Sequence, residues 1–406
     1  SGFSKRSSME IYLVGGAVRD EKLGIPVSEK DWCVVGSSET ELRSKGFKSV
    51  GKDFPIFLHP ETKEEYALAR TERKTQPGYH GFTFCTSKDI TLEEDLKRRD
   101  LTINAIAKGK HGQIIDPYNG LKDIKNKTLR HVSKAFKEDP VRVLRTAKFA
   151  ARFHQIGFKV ADSTIIFMQE MVKNSEIDTL APDRIWKETK EILEGPDPHI
   201  FFNVLEDCHA LSRVYPEFYH QLPNNKNKKL EQKSFLNLDA LKLSSQLIND
   251  PAINFITVIF MNNNILNKNY TKEKHLKLIT LITNRLPIPN NFLELAKLIF
   301  YFKDYSQLER MNAEDLLNFL EKTDAFRRRE RFEKFLKACK FFKQYSETTK
   351  TKCKIYERVI KMVNLCDDLP IREIVGNESN GEKIRSLIRH KRIDIIDKEN
   401  ARKIPK

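Results

Sequence analysis

Over the first third of the chain the apolar residues fall in short runs, and beyond it they recur with helical spacing. Ile11–Val14, Trp32–Val35 and Glu64–Arg70 have strand length, and Gly112–Pro117 reads as a further strand leading into the turn Asp116-Pro117-Tyr118-Asn119-Gly120. Ser49–His59 reads as a strand-pair region interrupted by Pro55, while Ala17–Leu23 and Glu39–Lys45 read as helices. Thr71–Ser87, with Pro77-Gly78 as a turn among threonines and aromatics, reads as a mobile loop. Thr91–Ala107 opens on the N-cap pattern Thr-Leu-Glu-Glu and brings Arg98, Arg99 and Asp100 beside Leu101, Ile103 and Ile106, so dense charge enters an apolar setting. From Ser133 onward no run of strands returns. Helices are expected at Leu236–Ile248, Ile253–Ile265, Lys274–Arg285, Asn291–Phe302, Ala313–Lys322 and Arg331–Tyr345, with Leu222–Leu230 as a polar linker.

The strand Ile11–Val14 ends at Gly15-Gly16, where the missing Cβ atoms let backbone N–H groups approach a bulky anion. A helix starting there offers its N-terminus to phosphate, and Arg19 adds a charge-matched fork. Glu29 and Asp31 follow with a spacing that, in a strand, puts both carboxylates on one face and suits one or two divalent cations. Glu65 is a possible third carboxylate, although an exposed acidic strand end has the same pattern. A lone Gly-Gly usually marks a turn, and an acidic i, i+2 pair usually faces water. Their order and spacing together point to metal-assisted phosphoryl or nucleotidyl transfer.

Composition adds a polyanionic partner. The 406 residues carry 72 Lys and Arg against 56 Asp and Glu, a net charge of +16, which favours nucleic acid over a neutral ligand. Six scattered cysteines without a Cys-x-x-Cys pair speak against a zinc ribbon or a disulfide framework, and a reducing, cytoplasmic setting fits them best, with an organellar one as the alternative. No apolar run approaches a membrane span, so no membrane partner is expected. Ser1–Ser8 precedes Met9 and reads as an appended segment or an organelle-targeting remnant. Nothing in the sequence sets the number of subunits.

The first helical block holds Glu138-Asp139-Pro140-Val141-Arg142-Val143-Leu144-Arg145. Asp139 stands near the helix start and Pro140 in its first turn, both favoured places. Asp139, Arg142 and Arg145 recur every three residues and crowd one side. An exposed salt-bridged helix would show the same spacing. The sharper reading is base selection: a carboxylate accepts from an exocyclic amine while a guanidinium donates to the adjacent ring acceptor, an edge that cytosine and adenine share and uracil and guanine lack.

Gly15-Gly16-x-Val18-Arg19-Asp20, Glu29-x-Asp31, Arg98-Arg99-Asp100-x-x-x-Asn104 and Glu138-Asp139-x-x-Arg142 together resemble the class II CCA-adding tRNA nucleotidyltransferases, especially the bacterial type. Val50-Gly51-Lys52-Asp53-Phe54-Pro55 and Arg184-Ile185-Trp186-Lys187-Glu188 resemble the same enzymes, and the likeness runs over about Ile11 to Tyr215. The resemblance implies an α+β fold, with a small mixed-sheet nucleotidyltransferase head over 9–132, a helical neck over 133–220, and an all-α body and tail over 221–406. It implies template-independent building of CCA at the tRNA 3′ end from CTP and ATP with Mg²⁺. By carry-over Gly15, Gly16 and Arg19 meet the triphosphate, Glu29 and Asp31 bind the metal, and Arg99, Asp100 and Asn104 serve phosphate or ribose. Asp139 and Arg142 read the base edge, Arg145 and Lys148 complete the pocket, and Thr71–Ser87 corresponds to a loop that helps the pocket move from C to A.

Three departures stand out. Glu29 replaces the family's usual Asp and is one methylene longer, to which in-line displacement is sensitive. Lys148 stands where bacterial relatives commonly carry Arg, which keeps charge and loses the fork. Beyond Pro216 only His220, His275 and His390 occur, with no His-Asp dipeptide, so a His-Asp phosphohydrolase site of the kind some relatives carry is not expected. Two basic stretches are candidates for phosphate contact: Arg327, Arg328, Arg329 and Arg331 in one, Lys383, Arg385, Arg389 and Arg392 in the other, the latter overlapping a Gly376–Ile388 tail element. The competing readings are a bacterial-type poly(A) polymerase, which shares the head, and a weakly active RNA-binding relative.

Overall fold

Seven strands form the sheet on which the first part of the chain is built, in the order β3-β4-β5-β2-β1-β8-β9. They are β1 (Glu10–Val14), β2 (Asp31–Val35), β3 (Lys48–Val50), β4 (Ile56–Leu58), β5 (Glu65–Leu68), β8 (Ala107–Lys108) and β9 (Ile114–Ile115). The structure, a computed structural model, describes residues 8–50, 56–74, 82–219, 238–260, 272–302, 308, 310–346 and 355–402. The Gly51–Pro55 part of one motif, the Leu222–Leu230 linker and residues 75–81 of the expected loop lie outside the described residues. The chain divides into two compact units, Ser1–Lys242 with Arg285–Pro287, and Leu243–Asn284 with Ile288–Lys406.

In the first unit β2 runs parallel to β5 and antiparallel to β1, so the sheet is mixed. Side chains alternate between its faces. Val14, Cys33 and Ala69 pack with Ile90, Leu96, Ala105 and Ala107 on one side, and Val34, Phe57, Tyr66 and Leu68 with Leu42 and Phe47 on the other. α1 (Gly16–Leu23) follows β1 and stops at Gly24, whose φ of 70° provides the left-handed cap. α2 (Glu39–Ser44) is capped by Ser38, whose hydroxyl accepts from Glu41 N–H.

The expected loop Thr71–Ser87 is instead a hairpin at its base. β6 (Thr71–Lys74) pairs antiparallel with β7 (Phe82–Cys85), Thr71 opposite Cys85 and Glu72 opposite Phe84. Threonines and aromatics favour a half-buried pleated surface, and this outweighed the Pro-Gly turn signal that had suggested irregular chain.

α3 (Leu92–Lys97) carries a reciprocal capping box between Thr91 and Glu94. It ends early because the Asp100 carboxylate accepts from Leu101 N–H (2.8 Å), and Thr102 N–H donates to the Arg130 carbonyl, leaving only a single 3-10 turn at Thr102–Asn104. After α4 (Gly120–Lys125), β10 (Thr128–Leu129) pairs with β11 (Lys159–Val160), one short strand that the helical pattern beyond Ser133 did not predict. α5 (Val141–Arg152), α6 (Asp162–Lys173), α7 (Pro182–Leu193), α8 (Pro198–Asp207) and α9 (Leu211–Val214) complete the helical part of the unit, together with the start of α10 (Leu238–Leu247).

The second unit is helical among its described residues: the rest of α10, then α11 (Pro251–Phe260), α12 (Lys272–Arg285), α13 (Asn290–Phe302), α14 (Ala313–Lys322), α15 (Arg329–Ser346), α16 (Ile355–Asp367), α17 (Ile371–Val375) and α18 (Gly381–Ala401). Its core includes Phe332, Phe335, Leu316 and Leu320. Among the described residues no helix is long and apolar enough to cross a membrane.

Candidate active site

A cleft of about 740 Å³ in the first unit collects most of the residues singled out above, a volume ordinary for a small-molecule site. Its phosphate-sized end is set by strand register. Val14 pairs with Asp31, so the Gly15-Gly16 turn leaves β1 beside the first residue of β2. Gly15 has φ 69° and ψ −128°, a conformation side chains avoid, and a Cβ there would lie 3.1 Å from Arg99 Nη1. The glycine thus lets the Arg99 guanidinium approach the backbone. The first intrahelical bond of α1 runs from Arg19 N–H to the Gly15 carbonyl (3.1 Å), and the N–H groups at the head of the helix stay available to an anion.

Behind this end lies a buried polar network. Arg19 donates through Nε to Asp20 (2.8 Å) and through Nη1 to Asn104 (2.6 Å), with Phe149 and Phe153 rings 5.2 and 5.1 Å from its guanidinium carbon. Asn104 in turn donates to Asp100 Oδ1 (3.1 Å), and Arg145 Nε donates to Asp100 Oδ2 (2.8 Å). Burial works against the Asp100 charge, but Arg145, Asn104 and Arg142 hold its pKa down to about 2. A carboxyl depressed on folding stabilises the fold above its ordinary value near 4, and that contribution fades as pH falls through 4 towards 2. In unfolding titrations the stability advantage of the native chain over Asp100→Asn is expected to shrink by about 1 kcal/mol between pH 5 and pH 3. An advantage independent of pH would contradict the pairing.

At the other end, Asp139 Oδ1 accepts from Val141 N–H (3.0 Å) at the start of α5, while Oδ2 stands 3.8 Å from Arg184. Arg142 donates from Nη1 to the Ala135 carbonyl and from Nη2 to the Arg98 carbonyl, each at 2.6 Å. Both side chains line the cleft, as do Arg145 and Lys148. Lys148 sits 2.6 Å from each of Glu188 and Glu191, and this pair of acids on α7 holds its ammonium as a point charge.

Asp31 lines the same cleft. Desolvation raises its pKa, Arg99 lowers it, and the neighbouring Glu29 carboxylate raises it further. Neither Glu29 nor Asp31 has an ion pair or hydrogen bond with a protein cation among the described residues. Glu29 precedes β2, so the two acids do not share a strand, and it does not line this cleft; with Asp31 and Glu65 it lines a neighbouring hollow of about 350 Å³ that shares Asp31. Two repelling carboxylates there fit a hard divalent cation with oxygen ligands. Glu65 pairs with Asp31 across the parallel β2–β5 ladder, on the same face. Among the described residues no group of three or more His, Cys, Asp or Glu side chains is already gathered as a metal site.

Residues 11–130 match the family model described as Poly A polymerase head domain, and residues 157–222 match that described as Probable RNA and SrmB- binding site of polymerase A. Over 391 residues the chain is 46 % identical to the CCA-adding enzyme of Coxiella burnetii (strain RSA 493 / Nine Mile phase I), covering 96 % of this chain and 95 % of that protein. The chain belongs to the CCA-adding enzyme family. The multifunctional CCA protein of Teredinibacter turnerae is 46 % identical over 342 residues, 82 % of this chain and 83 % of that protein. Among solved CCA-adding enzymes, a complex with CTP matches with a TM-score of 0.63 at 20 % identity, over 96 % of this chain and 88 % of the other. The Thermotoga maritima CCA-adding enzyme complexed with tRNA gives 0.62 at 18 % identity, over 96 % and 88 %. At those identities the likeness establishes the fold. CCA-adding enzymes generally use a divalent metal.

Several residues in and behind the cleft of this CCA-adding family member escape motif reading. Asp95, buried on α3, holds both Arg98 (2.9 Å) and Arg99 (3.2 Å). Glu72 of β6 and Arg70 line the cleft as well, and burial together with Arg98 pushes the Arg70 guanidinium down to about 10. Asp197 is 4 % exposed at the start of α8, with Oδ2 lacking a hydrogen-bond partner; only its place before Pro198 hinted at a helix start. The basic stretches prove mostly internally paired. Arg328 meets Glu294 (2.6 Å), Arg329 meets Glu333 and Asp367, Arg331 donates to the Thr323 carbonyl, and Arg389 pairs with Glu321. Arg392 stacks 3.8 Å from the Phe326 ring. Arg327 pairs with Asp324 yet is 84 % exposed, and Lys383, 72 % exposed, is 4.0 Å from Glu378. Arg385 donates locally, to the Gly381 carbonyl.

Proposed function

We propose that this chain adds CCA to tRNA 3′ ends from CTP and ATP, without a nucleic-acid template. The terminal 3′-OH attacks the nucleotide α-phosphate, a new phosphodiester forms, and pyrophosphate leaves. In this reading the Gly15-Gly16 turn, Arg19 and Arg99 receive the triphosphate, Asp100 and Asn104 brace the floor beneath it, and Arg145 and Lys148 flank the sugar and base. Glu29 and Asp31 would hold Mg²⁺, which supplies Lewis-acid polarisation of the α-phosphate and a more acidic attacking hydroxyl. Asp139 accepts from the exocyclic amine, and Arg142 donates to the neighbouring ring acceptor. Residues 9–132 serve as the catalytic head, 133–220 as the base-reading neck and 221–406 as the tRNA-holding body and tail. The observation that carries this reading is a single cleft lined at once by the glycine turn, by Asp31 and by the Asp139–Arg142 pair.

Incubation with tRNA lacking CCA tests it. CTP alone is expected to give two added nucleotides, and CTP with ATP a CCA end. Long A tails made from ATP alone on varied RNAs would favour the poly(A) polymerase reading, which the CCA-adding relatives do not favour. For tRNA affinity, Lys383, Arg385 and Arg327 are exposed cations of the two basic stretches. Affinity is expected to fall at least about tenfold between 50 and 200 mM salt, with a shallower slope in Lys383→Ala/Arg385→Ala. A flat salt dependence would remove this surface from the account.

A further inference from the structure

Three guanidinium groups converge on one buried carboxylate. Glu72 lies on β6 with its side chain 8 % exposed. Its Oε1 accepts from Arg70 Nε (3.0 Å) and Arg98 Nη1 (2.9 Å), and Oε2 stands 3.5 Å from Arg142 Nη2. Arg142 therefore has three anchors: the Ala135 carbonyl, the Arg98 carbonyl and the Glu72 carboxylate. Glu72 reaches it by two routes. It faces Arg142 directly, and with Asp95 it pins the Arg98 side chain, whose own carbonyl accepts from Arg142 Nη2. Without the Glu72 charge, Arg70 and Arg98 would be left repelling Arg142 in a site largely screened from water.

We propose that Glu72 is a specificity-determining positioning residue: it fixes the plane of the Arg142 guanidinium and thereby sets which base edge the cleft accepts. Glu72 need not touch the nucleotide to do this. A planar fork discriminates only while its donors keep their direction, and a tilt of the plane turns a matched edge into an indifferent one. The inference rests on the proposed reading of Arg142 as the base-edge donor, and its test separates the two.

The measurement is kcat/KM for CTP, UTP, ATP and GTP on tRNA lacking the relevant residues, in the native chain, Glu72→Gln, Arg142→Lys and the double variant. Glu72→Gln is expected to lower CTP-over-UTP and ATP-over-GTP discrimination at least about tenfold. The double variant is expected to discriminate no worse than Arg142→Lys alone, because the two act as one unit. Equal losses for all four nucleotides, or losses that add in the double variant, would mark Glu72 as merely structural and overturn the inference. Intact discrimination in Glu72→Gln beside a relaxed Arg142→Lys would do the same while leaving the base-edge reading in place. Full discrimination in Arg142→Lys would remove that reading and this inference with it. Glu72→Asp keeps the charge but draws the carboxylate back by one methylene, so it carries the same test if the glutamine variant does not fold: reduced discrimination is expected, and undiminished discrimination overturns the proposal.

Discussion

Asp31→Ala is expected to slow nucleotide addition by about 10³-fold or more while changing tRNA affinity by less than about twofold. Asp31 opens β2 directly beside the Gly15-Gly16 turn, so its carboxylate stands where a triphosphate seated on that turn would present its reacting end. Desolvation raises its pKa, Arg99 lowers it and the Glu29 carboxylate raises it. On the proposed reading of Asp31 as a metal ligand, its loss removes several kcal/mol of transition-state charge stabilisation, about 1.4 kcal/mol for each tenfold in rate. Because Asp31 is the exposed first residue of the central strand β2 and belongs to neither hydrophobic cluster, the substitution is expected to leave the fold intact. A single-turnover rate within tenfold of the native chain would contradict the assignment.

Arg142→Ala is expected to reduce discrimination against UTP and GTP by about 5- to 150-fold, the weight of one bidentate base contact. Rates alone do not test this well. The Arg142 guanidinium also satisfies the Ala135 and Arg98 carbonyls, and leaving such groups unpaired costs about 1–3 kcal/mol each if water cannot reach them. A destabilised variant would slow with every nucleotide, whereas loss of base reading changes the ratios between them. The quantity to compare is therefore kcat/KM for CTP over UTP and for ATP over GTP. Unchanged ratios would strip Arg142 of its role at the base edge.

The parts of the site legible in the sequence are those whose chemistry is local. Gly15-Gly16 after a strand-length apolar run, and Asp139-Pro140 before a helical one, announce their structural roles through turn and cap preferences that need no distant partner. Most distal helices likewise follow from spacing, and the observed Ala313–Lys322 coincides with the expected bounds. α16 was missed although Val359, Met362, Val363 and Cys366 repeat with helical spacing and are buried. Long-range electrostatics is where local reading stops. Arg98 looked like a ligand for substrate oxygens, yet besides its neighbour Asp95 it is held by Glu72, 26 residues away, whereas Arg99 lines the cleft. The run Arg327–Arg331 looked like a phosphate-binding face, yet acids from neighbouring helices neutralise much of it. A charge run in sequence shows where cations are and not which acids the fold brings to them.

The most direct test of the whole account is a crystal structure of the protein with Mn²⁺ and a CTP analogue that cannot react. The account predicts manganese held by Glu29 and Asp31 beside the nucleotide's triphosphate, with the cytosine edge against Asp139 and Arg142. A nucleotide seated elsewhere, with both acids turned away from its triphosphate, would contradict it.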